Sequence, residues 1–190
     1  MVLRVEDELR GLRKAKIYKA LRRATLVAAL AKLVRIVHIS IQQSHVHLLV
    51  EAVGKQALSR GLQGFQISAA KHMNAAFRRD ERRRGRVFSD RYHSEIIKTP
   101  NQARHALAYV LNNWRKHQED RWHGAKVDPY SSGWRFDGWS SDDHYLLEPH
   151  RFDDDGALMV DEPHTWLLRI GWRRYGRIDF YEVPTARSVH

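Results

Sequence analysis

The spacing of apolar and polar residues changes several times along the chain, and each change predicts a new element. Leucine-rich and β-branched runs predict strands at residues 2–5, 32–41 and 45–51, and the last two form a hairpin across residues 42–44. A further strand is expected near residues 92–98. Helical patterns separate these strands, so the order strand, helix, strand, strand, helix, strand, helix predicts an α+β fold.

Three helices are predicted from apolar residues that recur at three- and four-residue steps. The first follows residues 13–16, the second spans about residues 57–79, and the third starts at the capping box Thr99-Pro100-Asn101-Gln102. The buried side of the first helix is expected to consist of Ile17, Leu21, Ala24, Ala28 and Ala31. The buried side of the third is expected to consist of Ala103, Ala106, Leu107, Val110, Leu111 and Trp114.

A separate polar arc of the third helix carries candidate chemistry. Tyr109 and Asn113 are four residues apart, so a phenol and an amide face one side of the helix, one turn apart. A tyrosine on a helix is usually a packing residue. His105 lies one turn before Tyr109, and it is either a surface residue or a group that could accept the proton of the phenol. The arc consists of Gln102, His105, Tyr109, Asn112, Asn113 and Lys116.

Two histidines flank one aliphatic residue in the second strand of the hairpin. Side chains alternate across a strand, so His45 and His47 point to one face while Val46 points to the other. Two neutral imidazoles at neighbouring positions on one face can hold a divalent metal ion. Histidine pairs on strands are more often hydrogen-bonded surface residues. The polar arc that follows in the third helix is what favours a metal site here.

The composition indicates a polyanionic partner. The 190 residues carry a formal net charge of +11, and the sequence pI is near 10.2. Acidic residues concentrate late in the chain, so the earlier part is more basic than the average. The chain has no cysteine, which excludes disulfides and thiolate metal sites. Neither a membrane-length apolar run nor a signal-peptide pattern is present, so we expect a cytoplasmic, nucleoid-associated protein.

An arginine cluster at the end of the second predicted helix is a candidate DNA-backbone contact. Guanidinium groups bind phosphate bidentately, although a solvated turn neutralised by Asp80 and Glu81 is the alternative. Arg91 and Lys116 extend the predicted DNA contacts. The cluster consists of Arg78, Arg79, Arg82, Arg83, Arg84 and Arg86.

The last third of the chain is rich in aromatic residues. Most of these rings are expected to pack as a small cap over the edge of the domain, because aromatic side chains bury large areas. A minority is expected to stack on unpaired bases. The best candidate is Trp172-Arg173-Arg174-Tyr175, which alternates rings with cations as single-strand binders do.

Taken in order, these residues resemble the single-tyrosine transposases of the HUH endonuclease superfamily, in particular the REP-associated tyrosine transposases. In that family a His-hydrophobic-His strand supplies two metal ligands, and a later helix supplies the nucleophilic tyrosine and, four residues on, a third ligand. Those roles fall here on His45, His47, Tyr109 and Asn113. The segment at residues 85–92 is similar to the family's Gly-x-x-(Trp/Phe)-x-x-Arg-(Phe/Tyr) segment.

The resemblance implies a ferredoxin-like, mainly antiparallel sheet with packed helices at residues 1–120, and an aromatic-rich extension at residues 121–190 that packs on the domain or contacts DNA. It also implies Mg²⁺ or Mn²⁺ as cofactor, with Zn²⁺ left open by the histidine ligands. Tyr109 would attack a phosphodiester of single-stranded or hairpin DNA and form a 5′-phosphotyrosine link. The protein would act as a monomer or a homodimer.

Two other functions remain open from the sequence. One is a DNA-binding protein derived from a transposase that no longer cuts, since the chain begins almost inside its first strand. The other is a phosphoesterase that uses water as nucleophile and in which Tyr109 only packs. Only the transposase-like hypothesis predicts a covalent protein–DNA species, so detecting one would distinguish it from both alternatives.

Overall fold

The computed structural model describes residues 1–77, 85–89, 92–121, 124–141 and 156–184. The described chain forms a three-stranded antiparallel sheet in the order β1-β3-β2, with helices on both faces. This is a mixed α+β fold with a mainly antiparallel sheet, and it confirms the predicted fold class. The strands are β1 (Val2–Arg4), β2 (Arg35–Ile41) and β3 (His45–Glu51). The helices are α1 (Ala15–Ala31), α2 (Lys55–Ala76), α3 (Pro100–Lys116) and the short α4 (Trp166–Arg169).

Strand β3 lies in the centre of the sheet and divides its side chains between two hydrophobic cores. Val46 and Leu48 pack in a core with α1 and α2, whereas Leu49 packs in a second core with α3. The alternation of side chains along a strand therefore places His45 and His47 on the face that α3 covers. The sheet positions both histidines, and α3 closes over them.

Helix α2 closely approaches Val34, the residue before β2. Gly61 lies on the buried side of α2, and a Cβ atom there would lie 2.4 Å from Cγ1 of Val34. Gly64, three residues later, is exposed and has no heavy atom within 4 Å of a Cβ position. The two glycines thus occupy the same helix in opposite steric environments.

Gly61→Ala is expected to destabilise the protein by about 1 kcal/mol or more, because the overpacking cost exceeds the gain in helix propensity. Gly64→Ala is the matched control on the same helix. It should stabilise the protein by about 0.5–1 kcal/mol, since only backbone entropy changes. Chemical denaturation of both variants measures the difference, and equal effects at the two positions would contradict the close approach.

The second core joins α3 to the end of the chain. Leu107, Val110 and Leu111 of α3 are buried against rings and aliphatic residues from the C-terminal part of the chain. The C-terminal members of this core are Val127, Phe136, Trp139, Leu168, Trp172, Ile178 and Phe180. Four rings of the predicted aromatic cap, Phe136, Trp139, Trp172 and Phe180, are thus interior to the molecule, whereas Trp166, Tyr175 and Tyr181 are exposed.

Other segments of the chain cover both edges of the sheet. At the β2 edge, Ser132 N–H donates to the Ile39 carbonyl (2.9 Å) and Ile41 N–H donates to the Tyr130 carbonyl (2.9 Å). At the β1 edge, Val2 and His93 form an isolated antiparallel bridge. Covered edges leave few backbone groups open for pairing with another chain.

The prediction of a strand at residues 92–98 is wrong, because His93 alone forms a β-bridge in this segment, and its partner is Val2. β1 has just three residues and offers little edge for a longer ladder. Ser94 and Glu95 are exposed, so no apolar alternation holds this segment on the sheet.

Two predicted boundaries also shift. β2 starts at Arg35 rather than residue 32, because Lys32 ends α1 in the left-handed conformation (φ 54°) and turns the chain. Ala31, expected on the buried side of α1, is exposed at this turn. The second helix ends at Ala76 and Phe77 caps it, and residues 78–79 lie outside the described residues. Among the described residues, no helix is both long and apolar enough to cross a lipid bilayer.

Candidate functional site

The two histidines of β3 lie side by side on the face beneath α3. Their Nε2 atoms are 2.8 Å apart, and the ring centroids are 4.5 Å apart in an edge-to-face arrangement. His47 is 2% exposed, and His45 is partly exposed at the end of the strand. The alternation of side chains along the strand brings the two rings together.

Both imidazoles are held in the neutral form. Burial lowers the pKa of His45 to about 4, and the charges of His117 and Arg4 act in the same direction. Burial also lowers the pKa of His47 well below its ordinary value, with His45 as the next contributor. A neutral imidazole keeps the nitrogen lone pair that a metal ion requires.

Helix α3 supplies the phenol and the amide. Its start is fixed by the predicted capping box, in which Thr99 Oγ1 accepts from Gln102 N–H (3.2 Å) and Gln102 Oε1 accepts from Thr99 N–H (3.2 Å). From this start the helical period directs Tyr109 and Asn113 toward β3. The Asn113 amide donates to Nε2 of His47 (2.8 Å), and the Tyr109 ring centroid lies 5.0 Å from that of His47. The four residues therefore meet at one point between α3 and the sheet.

The environment of the Tyr109 phenol is partly buried and basic. Burial raises the pKa of Tyr109, and the positive charge of Arg4 opposes that rise. Lys116 Nζ lies 5.6 Å from the centroid of the Tyr109 ring. A phenol with a raised pKa is protonated at neutral pH, so it needs help to act as a nucleophile.

Two imidazoles and one amide form a donor set that suits a divalent cation. Among the described residues, no group of three or more His, Cys, Asp or Glu side chains is placed to hold a metal ion, so the amide has to complete the set. Asn113 Oδ1 is buried, and no hydrogen-bond donor in the described part of the chain reaches it. An unpartnered buried acceptor is costly, and a bound cation would satisfy it. The residues therefore fit such a cation.

Two further basic residues at this site were not found from the sequence. Arg4 of β1 pairs directly with His45 of β3, and directly opposite residues share a face, so Arg4 lies on the side of the sheet that carries the histidines. His117 caps the end of α3, and its ring centroid lies 5.6 Å from that of His45. The position of Arg4 follows only from the strand register, which the sequence does not specify.

The predicted DNA-contact residues fall into three groups. Arg78, Arg79, Arg82, Arg83, Arg84 and Arg91 lie outside the described residues. Lys116 lies beside Tyr109, and Arg86 is exposed, with its Nε 3.5 Å from a Glu6 carboxylate oxygen. Arg173 and Arg174 are also exposed.

The prediction that Trp172 stacks on bases needs correction. Its indole is 1% exposed and packs against Phe136 in the second core, with ring centroids 5.3 Å apart. Gly138 lies so close that a Cβ atom there would be 2.2 Å from this indole. No face of the ring is open to a base, and we remove Trp172 from the proposed DNA contacts.

The outer side of α3 is held by residues 177–182, which we call the strap. Arg104 forms a bidentate ion pair with Glu182 (2.5 and 2.6 Å). Asn112 donates to the Asp179 carbonyl (2.8 Å), and Arg115 donates to the Phe180 carbonyl (2.5 Å). Asn112, expected on the polar arc with Tyr109, is therefore buried beneath the strap.

The end of α3 is anchored by a buried arginine near the start of α1. Arg13 forms a bidentate ion pair with Asp128 (2.8 and 3.0 Å), and its Nε lies 3.0 Å from a Glu119 carboxylate oxygen. Arg13 also donates to the Ile41 carbonyl (2.9 Å) at the end of β2. This cluster ties the residues that follow α3 to the turn that precedes His45.

Residues 1–113, more than half of the chain, match the family described as transposase IS200-like. The matched region contains β1, the histidine pair, Tyr109 and Asn113. No curated protein and no solved structure matches the chain.

Proposed function

Because the chain belongs to the IS200-like transposase family, we propose that it is a metal-dependent enzyme that nicks and rejoins single DNA strands through a 5′-phosphotyrosine intermediate. Family membership indicates a transposase-like, DNA-cleaving activity and DNA as partner, and it confirms the family predicted from the sequence. The REP-associated branch remains a prediction. The observation that carries the proposal is the meeting of Tyr109, His47 and Asn113 at one point.

The proposed reaction is a transfer of one phosphodiester to the tyrosine. Tyr109 Oη attacks phosphorus and forms an O–P bond, while the bond to the 3′-oxygen of the preceding nucleotide breaks. The phenol loses its proton, and the leaving 3′-oxygen gains one. The new link keeps the phosphodiester, so a 3′-hydroxyl can displace Tyr109 and rejoin the strand.

His45, His47 and Asn113 would hold the divalent cation beside this phosphate, and we propose Mg²⁺ or Mn²⁺. When bound, such an ion would polarise a non-bridging phosphate oxygen and neutralise developing charge. The neutral state of both imidazoles and the unpartnered Asn113 Oδ1 support this role. Three protein ligands leave coordination positions open for the phosphate.

Arg4 and Lys116 would supply positive charge near the phenol. Arg4 lies across from His45 in the sheet, and Lys116 lies over the Tyr109 ring. Their charges would favour the phenolate over the phenol and attract the phosphate. The charge of Arg4 opposes the rise in the pKa of Tyr109 that burial causes.

Arg4→Ala is expected to slow cleavage about 10- to 100-fold while DNA affinity falls much less, because the lost charge acts on the reacting groups. Arg4→Lys should recover part of the rate. Arg10→Ala is the matched control, since Arg10 is exposed and pairs with Asp7. Single-turnover cleavage rates check this prediction, and equal losses for the two alanine variants would contradict it.

The direct test of the proposed function follows a labelled strand. Hairpin-forming oligonucleotides from the DNA that flanks the gene are incubated with the protein and Mg²⁺ or Mn²⁺, then separated on a denaturing gel. A 3′ label should move onto the protein, and a 5′ label should remain on a shortened strand that ends in a 3′-hydroxyl. Cleavage without labelled protein would indicate water as nucleophile, and binding without cleavage would indicate a DNA-binding protein.

A further inference from the structure

We propose that an exposed surface formed by α4 and the 3₁₀ helix Gly171–Tyr175 binds a single DNA strand that extends from the catalytic site. We call it the ring–arginine surface, and it consists of Trp166, Arg169, Arg173, Arg174 and Tyr175. The proposal rests on the proposed function. It replaces the buried Trp172 with a neighbouring indole that faces outward.

Two rings of this surface are open to solvent. Trp166 is 48% exposed and Tyr175 is 54% exposed, whereas Trp172 between them is buried. The Arg174 guanidinium carbon lies 4.9 Å from the centroid of the Trp166 ring. A stacked indole and guanidinium present the flat, polarisable group on which unpaired bases stack without regard to sequence.

The position of the indole is fixed by close packing on the backbone. Trp166 lies against Gly171, where a Cβ atom would be 2.8 Å from the indole ring. Trp172, the next residue, is anchored in the second core. Because these contacts already restrict the Trp166 side chain, it loses little conformational entropy when a base stacks on it.

The charge of this segment complements a phosphate backbone. Residues 163–178 contain no Asp or Glu, and they contain four arginines. Arg173 pairs with Asp137 (2.7 Å), which lies outside this segment. A membrane surface would also attract these cations, but the exposed Trp166 ring lies against the Arg174 guanidinium, a pairing of ring and cation that is typical of single-strand sites. The four arginines are Arg169, Arg173, Arg174 and Arg177.

The surface is tied to the strand that carries the histidines. Glu51, the last residue of β3, accepts from Thr165 N–H (2.9 Å), Thr165 Oγ1–H (2.6 Å) and His164 N–H (2.7 Å). Glu51 lies four positions after His47 in β3, which corresponds to about 13 Å along the strand. A strand cut at Tyr109 therefore needs only a few further nucleotides to reach Trp166.

The experiment compares two labelled DNAs by fluorescence anisotropy, a hairpin with a single-stranded extension and the same hairpin without one. Trp166→Ala and Arg174→Ala should each weaken binding of the extended DNA about 5- to 100-fold. Binding of the blunt hairpin should not change. Trp166→Phe keeps a stacking ring and should retain most of the affinity. Leu30→Ala, an exposed apolar residue on α1, is the control.

Covalent trapping by each variant separates this inference from the proposed function. If the alanine variants bind both DNAs like the parent protein, and the parent still forms the adduct, the ring–arginine surface is refuted and the proposed function stands. Equal losses on both DNAs would also refute the surface as a single-strand site. If the parent protein binds neither DNA, both proposals fail.

Discussion

Replacing Tyr109 with phenylalanine is expected to abolish the covalent protein–DNA adduct and leave DNA binding unchanged. Phenylalanine keeps the ring that packs against His47, with its centroid 5.0 Å away, and removes only the oxygen that we propose as the nucleophile. Loss of a covalent nucleophile lowers rates by about three orders of magnitude or more, because no other group can form the intermediate. Strand cleavage should therefore fall with adduct formation.

The measurement is a denaturing gel with 3′-labelled DNA, run beside an anisotropy titration. Tyr181→Phe is the matched control, since Tyr181 is an exposed tyrosine on the strap. The control should form the adduct at the parental rate. Persistent nicking by Tyr109→Phe would exclude Tyr109 as the nucleophile, and would favour a water-using phosphoesterase.

His47→Ala is expected to remove both metal binding and metal-dependent cleavage. His47 Nε2 lies 2.8 Å from His45 Nε2 and 2.8 Å from Asn113 Nδ2, so it is central to the proposed donor set. Metal affinity should fall at least about 100-fold. In the parent protein a cation at 100 times its dissociation constant should add about 2.7 kcal/mol of stability, and this increment should disappear.

Thermal denaturation with and without Mn²⁺ measures this loss independently of cleavage. His105→Ala is the matched control, because His105 is an exposed histidine on α3. Asn113→Ala gives a second test in case the His47 variant folds poorly, since it removes the amide and leaves both imidazoles in place. A parental response to Mn²⁺ in both variants would exclude this donor set.

The parts of the site that the sequence predicted are those set by local rules. The His45–His47 pair follows from the period of one strand, and its bounds, residues 45–51, agree with β3. The spacing of Tyr109 and Asn113 follows from the period of one helix, whose start is marked by the Thr99 capping box. The periods of a strand and of a helix were sufficient to predict these two pairs, because β3 and α3 each supply two side chains on one face.

The parts that the sequence did not predict depend on tertiary packing. Arg4 reaches the site through the register between β1 and β3, which no local pattern encodes. Trp172 directly precedes Arg173 and Trp166 lies three residues before Arg169. Only the packing of Trp172 against Phe136 and Gly138 decides which of the two indoles is buried. The sequence predicts an exposed polar side chain for Asn112, and only the tertiary structure shows that the strap covers it.

The strap also determines which positions can vary during evolution. Asn112 and Arg115 bond to main-chain carbonyls of Asp179 and Phe180, and every amino acid supplies that acceptor. These two hydrogen bonds therefore place no constraint on the side chains of Asp179 and Phe180, although Phe180 also packs in the second core. The donors on α3 have no such freedom. In related genes, constraint on α3 should thus extend to the side that faces the strap, away from the proposed catalytic residues.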